Sequence, residues 1–481
     1  MRLPIESRLF GLLACLSLSL VVAAPVTADV REKRIDESAQ RALAVTIYND
    51  DLALVKDQRQ VVLEPGENRL AWRSVSVQIR PETALLNAVG SDFPVRLLEQ
   101  NFDFDLLTAE SLLKKYVGRT VQVVRTNEAG ERTVEEAKVL AANQGVVLRY
   151  ADRIETQVVG HLAYPDVPED LRDQPTLVLH LDAEQGGGGL LELSYLTSGL
   201  GWQADYVAEL ADDGATMDLN GWVTLTNRSG IAYRGAQVQL VAGTVNQVRP
   251  PQADVRMERG VMMAASAPPQ EEALYEYHLY TLPRPTDILD RQTKQVALLA
   301  APEVPVTQVL VVEGHPSAYR ATGTDGWHRV KVEAQLRFAN RDAPLGMPLP
   351  KGVVRVYARD SRGHAQFVGE DRIDHTPKNE TVSLRLGESF DVTARRKQTS
   401  FRKLSGSGAY DYAYEAGFAM ELKNAKPEAV RVKVLETLPG DWRILEENAL
   451  HTKEAANLAS WSIQVPAEGT KTLTWVAQVR H

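Results

Sequence analysis

A serine hydrolase needs its nucleophile on a sharp elbow with a base at hand, and no Gly-x-Ser-x-Gly occurs in the 481 residues. Ser198 in LTSGLGW and Ser407 in SGSG are flanked by glycine, but neither has a partner at a recognisable spacing, so both read as turn serines. The histidines (His161, His180, His278, His315, His328, His364, His375, His451 and His481) are scattered, without a His-Glu-x-x-His pair. The densest group of donors runs from Glu370 to His375. On a strand, Asp371 and His375 would share a face with Ile373 while Asp374 faced away, which reads as a surface ion-pair network rather than a metal centre. Asp212-Asp213-Gly214 lacks the ligand spacing of a calcium loop and reads as a hairpin turn. Gly186 to Gly189 has no lysine and no following helix, so it is a hairpin and not a phosphate cradle. Glycoside hydrolysis would need two carboxylates about 5–9 Å apart. Asp103, Asp105, Asp205 and Asp371 are the available acids, and their convergence depends on the fold.

One cluster could meet a ligand without catalysis. Arg395, Arg396, Lys397, Arg402 and Lys403 gather cations in an acidic chain, and Tyr410, Tyr412 and Tyr414 alternate beside them. On a strand the three rings would share one face. Rings next to cations could receive an anionic envelope glycan or a lipid head group. The competing reading is a solvated loop beside a strand whose tyrosines face the core. No catalytic residue, metal ligand or cofactor site is assigned.

The elements that must position these residues are strands. From Val330 to Phe338 every second residue is apolar (Val330, Val332, Ala334, Leu336, Phe338), the period of a half-buried strand. The same alternation recurs in Val382-Leu384-Leu386, Phe418-Met420-Leu422, Val430-Val432-Val434, Trp461-Ile463-Val465 and Leu473-Trp475-Ala477-Val479. Turns at short intervals predict an all-β chain of tandem Ig-like β-sandwich modules with a small barrel-like insertion. One short helix is expected from Ala109 to Val117, capped by Thr108, with Leu112, Leu113 and Tyr116 as its apolar face and Gly118 as its stop. A weak repeat places an asparagine where one strand ends and a polar turn leads to the next: Asn227, Asn340, Asn424 and, less clearly, Asn49. A short amide that bonds nearby backbone and tolerates left-handed dihedrals suits that place.

Composition sets the divisions. Residues 1–28 read as a secretory signal: Arg2 and Arg8, an apolar run from Leu9 to Ala24, and Val26-Thr27-Ala28 as the cleavage site. The run is shorter than the roughly 20 apolar residues of a membrane span, and no later run reaches that length. The mature chain is therefore expected to be soluble, in the periplasm or outside the cell. The single cysteine, Cys15, follows Leu12-Leu13-Ala14, a weak lipoprotein box. The apolar run continues past it to Val22, which favours an ordinary signal cysteine over a lipid anchor. Cleavage leaves no thiol, hence no disulfide and no thiolate metal site. A β-rich domain is expected over 29–105, a small barrel-like segment with the helix over 106–160, a first sandwich over 176–310 with a flexible loop at 249–272, and a second sandwich over 320–481. With 54 basic and 63 acidic residues the net charge is −9, which does not suit a phosphate-covering surface and argues against nucleic acid as a partner.

Several long motifs carry a resemblance. SYLTSGLGWQADYVAEL (Ser194 to Leu210), LNGWVTLTNRSGIAYRGAQVQLVAGTVN, EYHLYTLPRPTDILDRQTKQVALL (Glu276 to Leu299), LPKGVVRVYARDSRGHAQFVGEDRIDHTPKNETVSLRLGESFDV (Leu349 to Val392) and YEAGFAMELKNAKPEAVRVKVLETLPGDWRI resemble a bacterial family of unknown function. It is labelled mucoidy-inhibitor-like and corresponds to domain of unknown function 4139. The likeness covers 176–481 well and 42–160 more loosely, as the family's usual N-terminal companion. It implies an exported β-rich protein and supplies no catalytic residues. Trp202, Tyr206 and Trp222 within these motifs read as core packing, with a ring platform for sugar as the sharper alternative. The expectation is an exported envelope protein that binds or scaffolds an unknown envelope protein or glycan without catalysis. The alternatives are a carbohydrate-active hydrolase and a structural subunit of a surface or secretion assembly.

Overall fold

Apolar residues that recur at every second position bury one face of a strand, and here nearly every described segment does so. The computed structural model describes residues 31–90, 94–143, 145–168, 170–243, 245–246, 270–274, 277–323, 326–405 and 412–480. The expected signal segment with Cys15 lies outside them, as does the expected loop up to residue 269. Residues 270–272 of that loop belong to a strand, Gln270–Leu274, antiparallel to Tyr277–Thr281.

The architecture is all-β. A four-stranded sheet has the order Glu32–Ile35, Gly66–Arg73, Thr176–Ala183, Val95–Asp103. An eight-stranded sheet includes Gln40–Tyr48, Leu52–Leu63, Gly187–Thr197 and Tyr233–Ala242. The segments 29–105 and 176–310 thus share two sheets. The first strands of the chain are closed by strands that follow the connector at 164–175. A ten-stranded sheet carries the hairpin Leu200–Leu210/Thr216–Asn227, flanked by Gly352–Arg359 and Thr293–Gly314. The Thr293–Gly314 strand pairs with Thr216–Asn227, then with Glu333–Asn340, then with Val430–Thr437, and so ties two cores together. The first core runs from Ile35 to Leu384. The second, from Val312 to Val479, packs the ten-stranded sheet's far end on a five-stranded sheet that includes Val392–Ser405, Tyr412–Asn424 and Thr470–Arg480.

The helix forms where expected, as Ala109–Lys115, with Thr108 and Ser111 making a reciprocal capping box. Tyr116 is buried in a third, small core with Val121, Val123, Val139 and Leu148. The sheet around it has the order Ile154–Glu155, Val147–Arg149, Arg132–Ala141, Thr120–Thr126, His161–Ala163. Its two end strands do not pair, so the expected barrel-like insertion is an open sheet and not a closed barrel.

Three of the four repeated asparagines do one job. Asn227, Asn340 and Asn424 are fully buried. The Asn227 amide donates to the carbonyls of Ile231, Ile288 and Leu289, and its Oδ1 accepts from the Ser229 N–H. Asn424 donates to the Glu428 and Pro466 carbonyls and accepts from the Lys426 N–H. Asn340 bonds the Met347 and Pro377 carbonyls and the Gly346 N–H. None of them takes a positive φ, so the amide's reach and not left-handed backbone explains its presence. Asn49 is only half-buried and bonds a different partner, the Trp202 carbonyl.

The connector is fastened by charge. Arg172 reaches Glu32 Oε1 at 2.6 Å and Asp103 Oδ2 at 2.9 Å, joining two strands of the four-stranded sheet. Its hydrogen bond holds the Glu32 carboxyl below the usual carboxylate range. A carboxyl lowered in the folded state contributes stability above its unfolded value and loses it as pH falls through the folded value. Acidification below about pH 4.5 should therefore erode this contribution. Arg172→Gln should flatten the acid limb of Tm against pH, and equal slopes for both proteins would refute the account.

Candidate functional site

The basic and aromatic cluster divides between two faces and the core. Arg395 lies outside, paired with Glu421 at 2.7 Å and placed 5.0 Å from the Trp327 ring centroid. Arg402 pairs with Glu415, which also accepts from Gln478. Lys397 and Lys403 are exposed. Lys403 stands opposite Tyr414, which stacks on Phe401 at 5.6 Å. Tyr410 lies outside the described residues, and Tyr412 opens the Tyr412–Asn424 strand.

Arg396 points the other way. Its guanidinium lies 4.0 Å from the Phe418 centroid and 5.3 Å from the Trp475 ring, and contacts Glu436 at 3.1 Å. Glu436 is fully buried and accepts from Tyr319 Oη at 2.8 Å, whose oxygen in turn accepts from the Trp475 indole at 3.0 Å. Burial pushes the Glu436 carboxyl up, against the pull of Arg396. This is structural chemistry inside the second core, out of reach of a ligand.

The four candidate carboxylates are each held by different partners. Asp103 binds Arg172, and Asp105 binds Lys115 at 2.9 Å. Asp371 accepts the amides of Arg372 and Arg385. Asp205 accepts from Thr224 Oγ1 at 2.8 Å and from Arg355 at 3.2 Å. His375 has left the strand: its Nδ1 accepts from the Lys351 N–H, and burial lowers its pKa.

Asp205 leads to the most open constellation. Along Leu200–Leu210 the residues Trp202, Ala204, Tyr206 and Ala208 enter the core, so Gln203 and Asp205 face outward. In the antiparallel register Gln203 faces Thr224 and Asp205 faces Trp222, while Thr224 faces Gln295 on the next strand. Trp222, Thr224 and Thr226 therefore form a row on the outer face. Gln295 donates to Thr224, Thr224 to Asp205, and Arg355 bridges Asp205 to Glu370, so one hydrogen-bonded chain crosses four neighbouring strands to a fifth. Trp202 and Tyr206 are core residues, as expected. Trp222 is not: it is half-buried on the outside, and its indole N–H has no hydrogen-bond partner.

At one end this face opens into a groove of 420 Å³. Its walls are Asn49, Asp51, Gln78, Gln203, Thr224, Thr226 and Arg228. The turn after Gln40–Tyr48 supplies Asn49 and Asp51, and Asp51 is fixed by accepting the Gly199 N–H at 2.9 Å. Gly199 has φ +83, and a Cβ there would meet the Ser229 backbone at 2.8 Å, so this approach requires glycine. Gly201 forms open floor, with nothing within 4 Å of a Cβ placed on it. Amides, hydroxyls, a carboxylate and a guanidinium thus converge on a groove that a polar ligand can enter. Sequence reasoning named Asp205 as an available acid, Trp222 as core packing and Asn49 as a turn asparagine, but did not bring Asn49, Asp51 and Gln78 to this groove; they come from turns about 150 residues earlier. The motif SGLGW was their one local signal.

Among the described residues no group of three or more His, Cys, Asp or Glu is placed to hold a metal ion, and no helix is long and apolar enough to cross a membrane. Residues 191–481 match the model of a protein family described as Domain of unknown function (DUF4139). No curated protein matches the chain. The groove is therefore built jointly, by the matched region and by Asn49, Asp51 and Gln78 ahead of it.

Proposed function

This chain belongs to the DUF4139 family, and on that premise we propose that it is an exported cell-envelope protein that works by binding, without catalysis. The observation that carries the reading is the polar groove beside Trp222, lined with hydrogen-bonding groups and floored by glycine. Binding sites have this form, a concavity with a few placed polar groups. The groove's own carboxylate, Asp51, accepts the Gly199 N–H, and Asp205 behind the wall is engaged by Arg355 and Thr224, an arrangement suited to holding groups in place rather than to proton transfer. Residues 1–28 support export to the periplasm or the medium. The motifs of 176–481 support a place among mucoidy-inhibitor-like proteins, with 42–160 as the N-terminal companion.

The test combines location and capture. A tagged full-length chain in a Gram-negative host should be recovered outside the cytosol without residues 1–28. It should retain an envelope component that Gln203→Ala with Thr226→Ala releases. Recovery only from the cytosol at full length, or identical retention by the double variant, overturns the proposal. Turnover of envelope polysaccharide that is lost in Asp205→Asn would replace it with a hydrolase.

A further inference from the structure

We infer that the groove and the adjoining Trp222 face form a saccharide site. This deepens the binding reading and rests on it. Saccharides offer two surfaces at once: apolar C–H faces that pack on flat rings, and hydroxyls that both donate and accept. The outer row of Thr216–Asn227 offers the complement in the same order. Trp222 presents a half-buried indole, a large rigid ring with one polar handle. Two residues further along the same face stands the Thr224 hydroxyl, with Gln203 opposite, both at the groove wall.

The polar groups suit hydroxyls better than a charged ligand. Amides and hydroxyls both donate and accept. The charged groups behind them leave no positive excess, since the single guanidinium of Arg355 lies between two carboxylates, Asp205 and Glu370. A phosphate or sulfate would need net positive charge, which this face does not gather. An extended peptide would need an unpaired strand edge to add to, and both strands of the hairpin are paired on each side. The Trp222 indole N–H and Asn49 Oδ1 lack partners, and burial without a bond costs free energy. Hydroxyls entering beside them, with a small shift of the covering side chains, would relieve that deficit.

Because the chain's glycan is unidentified, the probe is an array of purified bacterial polysaccharides and their oligosaccharides, incubated with the full chain. At least one glycan should be retained. Trp222→Ala should weaken it at least tenfold, Trp222→Phe by less, and Trp327→Ala, at an exposed ring on the other module, should leave it unchanged. Thermal unfolding of each variant establishes that it is folded, and Trp222→Phe carries the test if Trp222→Ala is not. No retained glycan, or equal retention by wild type and the folded Trp222 variants, overturns the saccharide site. If no glycan binds while an envelope protein is captured through Gln203 and Thr226, the ligand class fails and the binding reading stands. If neither binds, both fail.

Discussion

Arg396→Ala should lower the unfolding free energy by about 3–5 kcal/mol, the range for removing one partner of a buried ion pair. The loss has two parts. Glu436 would remain with no exposure and no countercharge, keeping only the Tyr319 hydroxyl. The aliphatic stem and planar head of Arg396 would also leave a gap against Phe418 and Trp475. Arg395→Ala, one residue away, removes an exposed pair with Glu421 and should cost about 1 kcal/mol or less. Urea unfolding followed by tryptophan emission compares them, since Trp475 and Trp461 lie in the affected core. Arg396→Met with Glu436→Leu, which removes both charges, should recover most of the loss. Equal midpoints for the Arg395 and Arg396 variants would show that the buried pair is not a structural element.

The contrast between Arg395 and Arg396 shows what the sequence could tell and where it misled. Counting cations made the run one patch. The period of two, applied without regard to charge, separates it: Val392, Ala394, Arg396 and Gln398 are one phase, Arg395 and Lys397 the other. Glu436 likewise continues the inward phase of Val432 and Val434. The first core repeats the arrangement. Asp57 and Arg59 fall in phase with Val55, Val61 and Leu63, are almost fully buried, and pair at 2.7 Å, with the Trp72 indole donating to Asp57. Polar residues in the apolar phase were thus legible as buried pairs. Hydrophobicity alone reads them as interruptions.

What alternation cannot encode is which distant strands become neighbours. The strands, the helix with its Thr108 cap and the core role of Trp202 and Tyr206 all follow from local pattern. The groove does not. Its walls meet only because Gly187–Thr197 pairs with Leu52–Leu63 over eleven residues, bringing the Asn49 turn beside SGLGW. A hairpin's own residues set its faces, whereas loop closure over about 150 residues is decided by the whole sheet. Trp222 was legible as a ring in a strand. Its outward phase could be read from Val223 and Leu225 beside it, but the polar neighbours that give it a use could not.

The asparagine repeat yields the second large effect. Asn424→Ala would remove the fully buried amide that bonds the Glu428 and Pro466 carbonyls and the Lys426 N–H, of which the Pro466 carbonyl keeps the Gly469 N–H. Each of the two groups left without a partner costs about 1–3 kcal/mol, so the variant should lose about 2 kcal/mol or more. Asn424→Asp should do little better, because a carboxylate accepts from Lys426 but cannot donate to two carbonyls. Asn227→Ala should behave alike in the first core, where one amide bonds three carbonyls, of which that of Leu289 keeps a second donor, the Gln292 N–H. Asn49→Ala should cost about 1 kcal/mol or less, since that side chain is half-buried and makes one longer bond at 3.3 Å. The two buried positions lie in separate cores and share no partners, so their losses should add within about 0.5 kcal/mol. Denaturant unfolding of the single and double variants reads all of this. A buried-site variant no weaker than Asn49→Ala would mean that the backbone finds other partners and that the repeat is only a turn preference. Large losses that add would make each asparagine a clasp for its own sandwich, with the Thr293–Gly314 strand joining two modules that each fix their own strand ends.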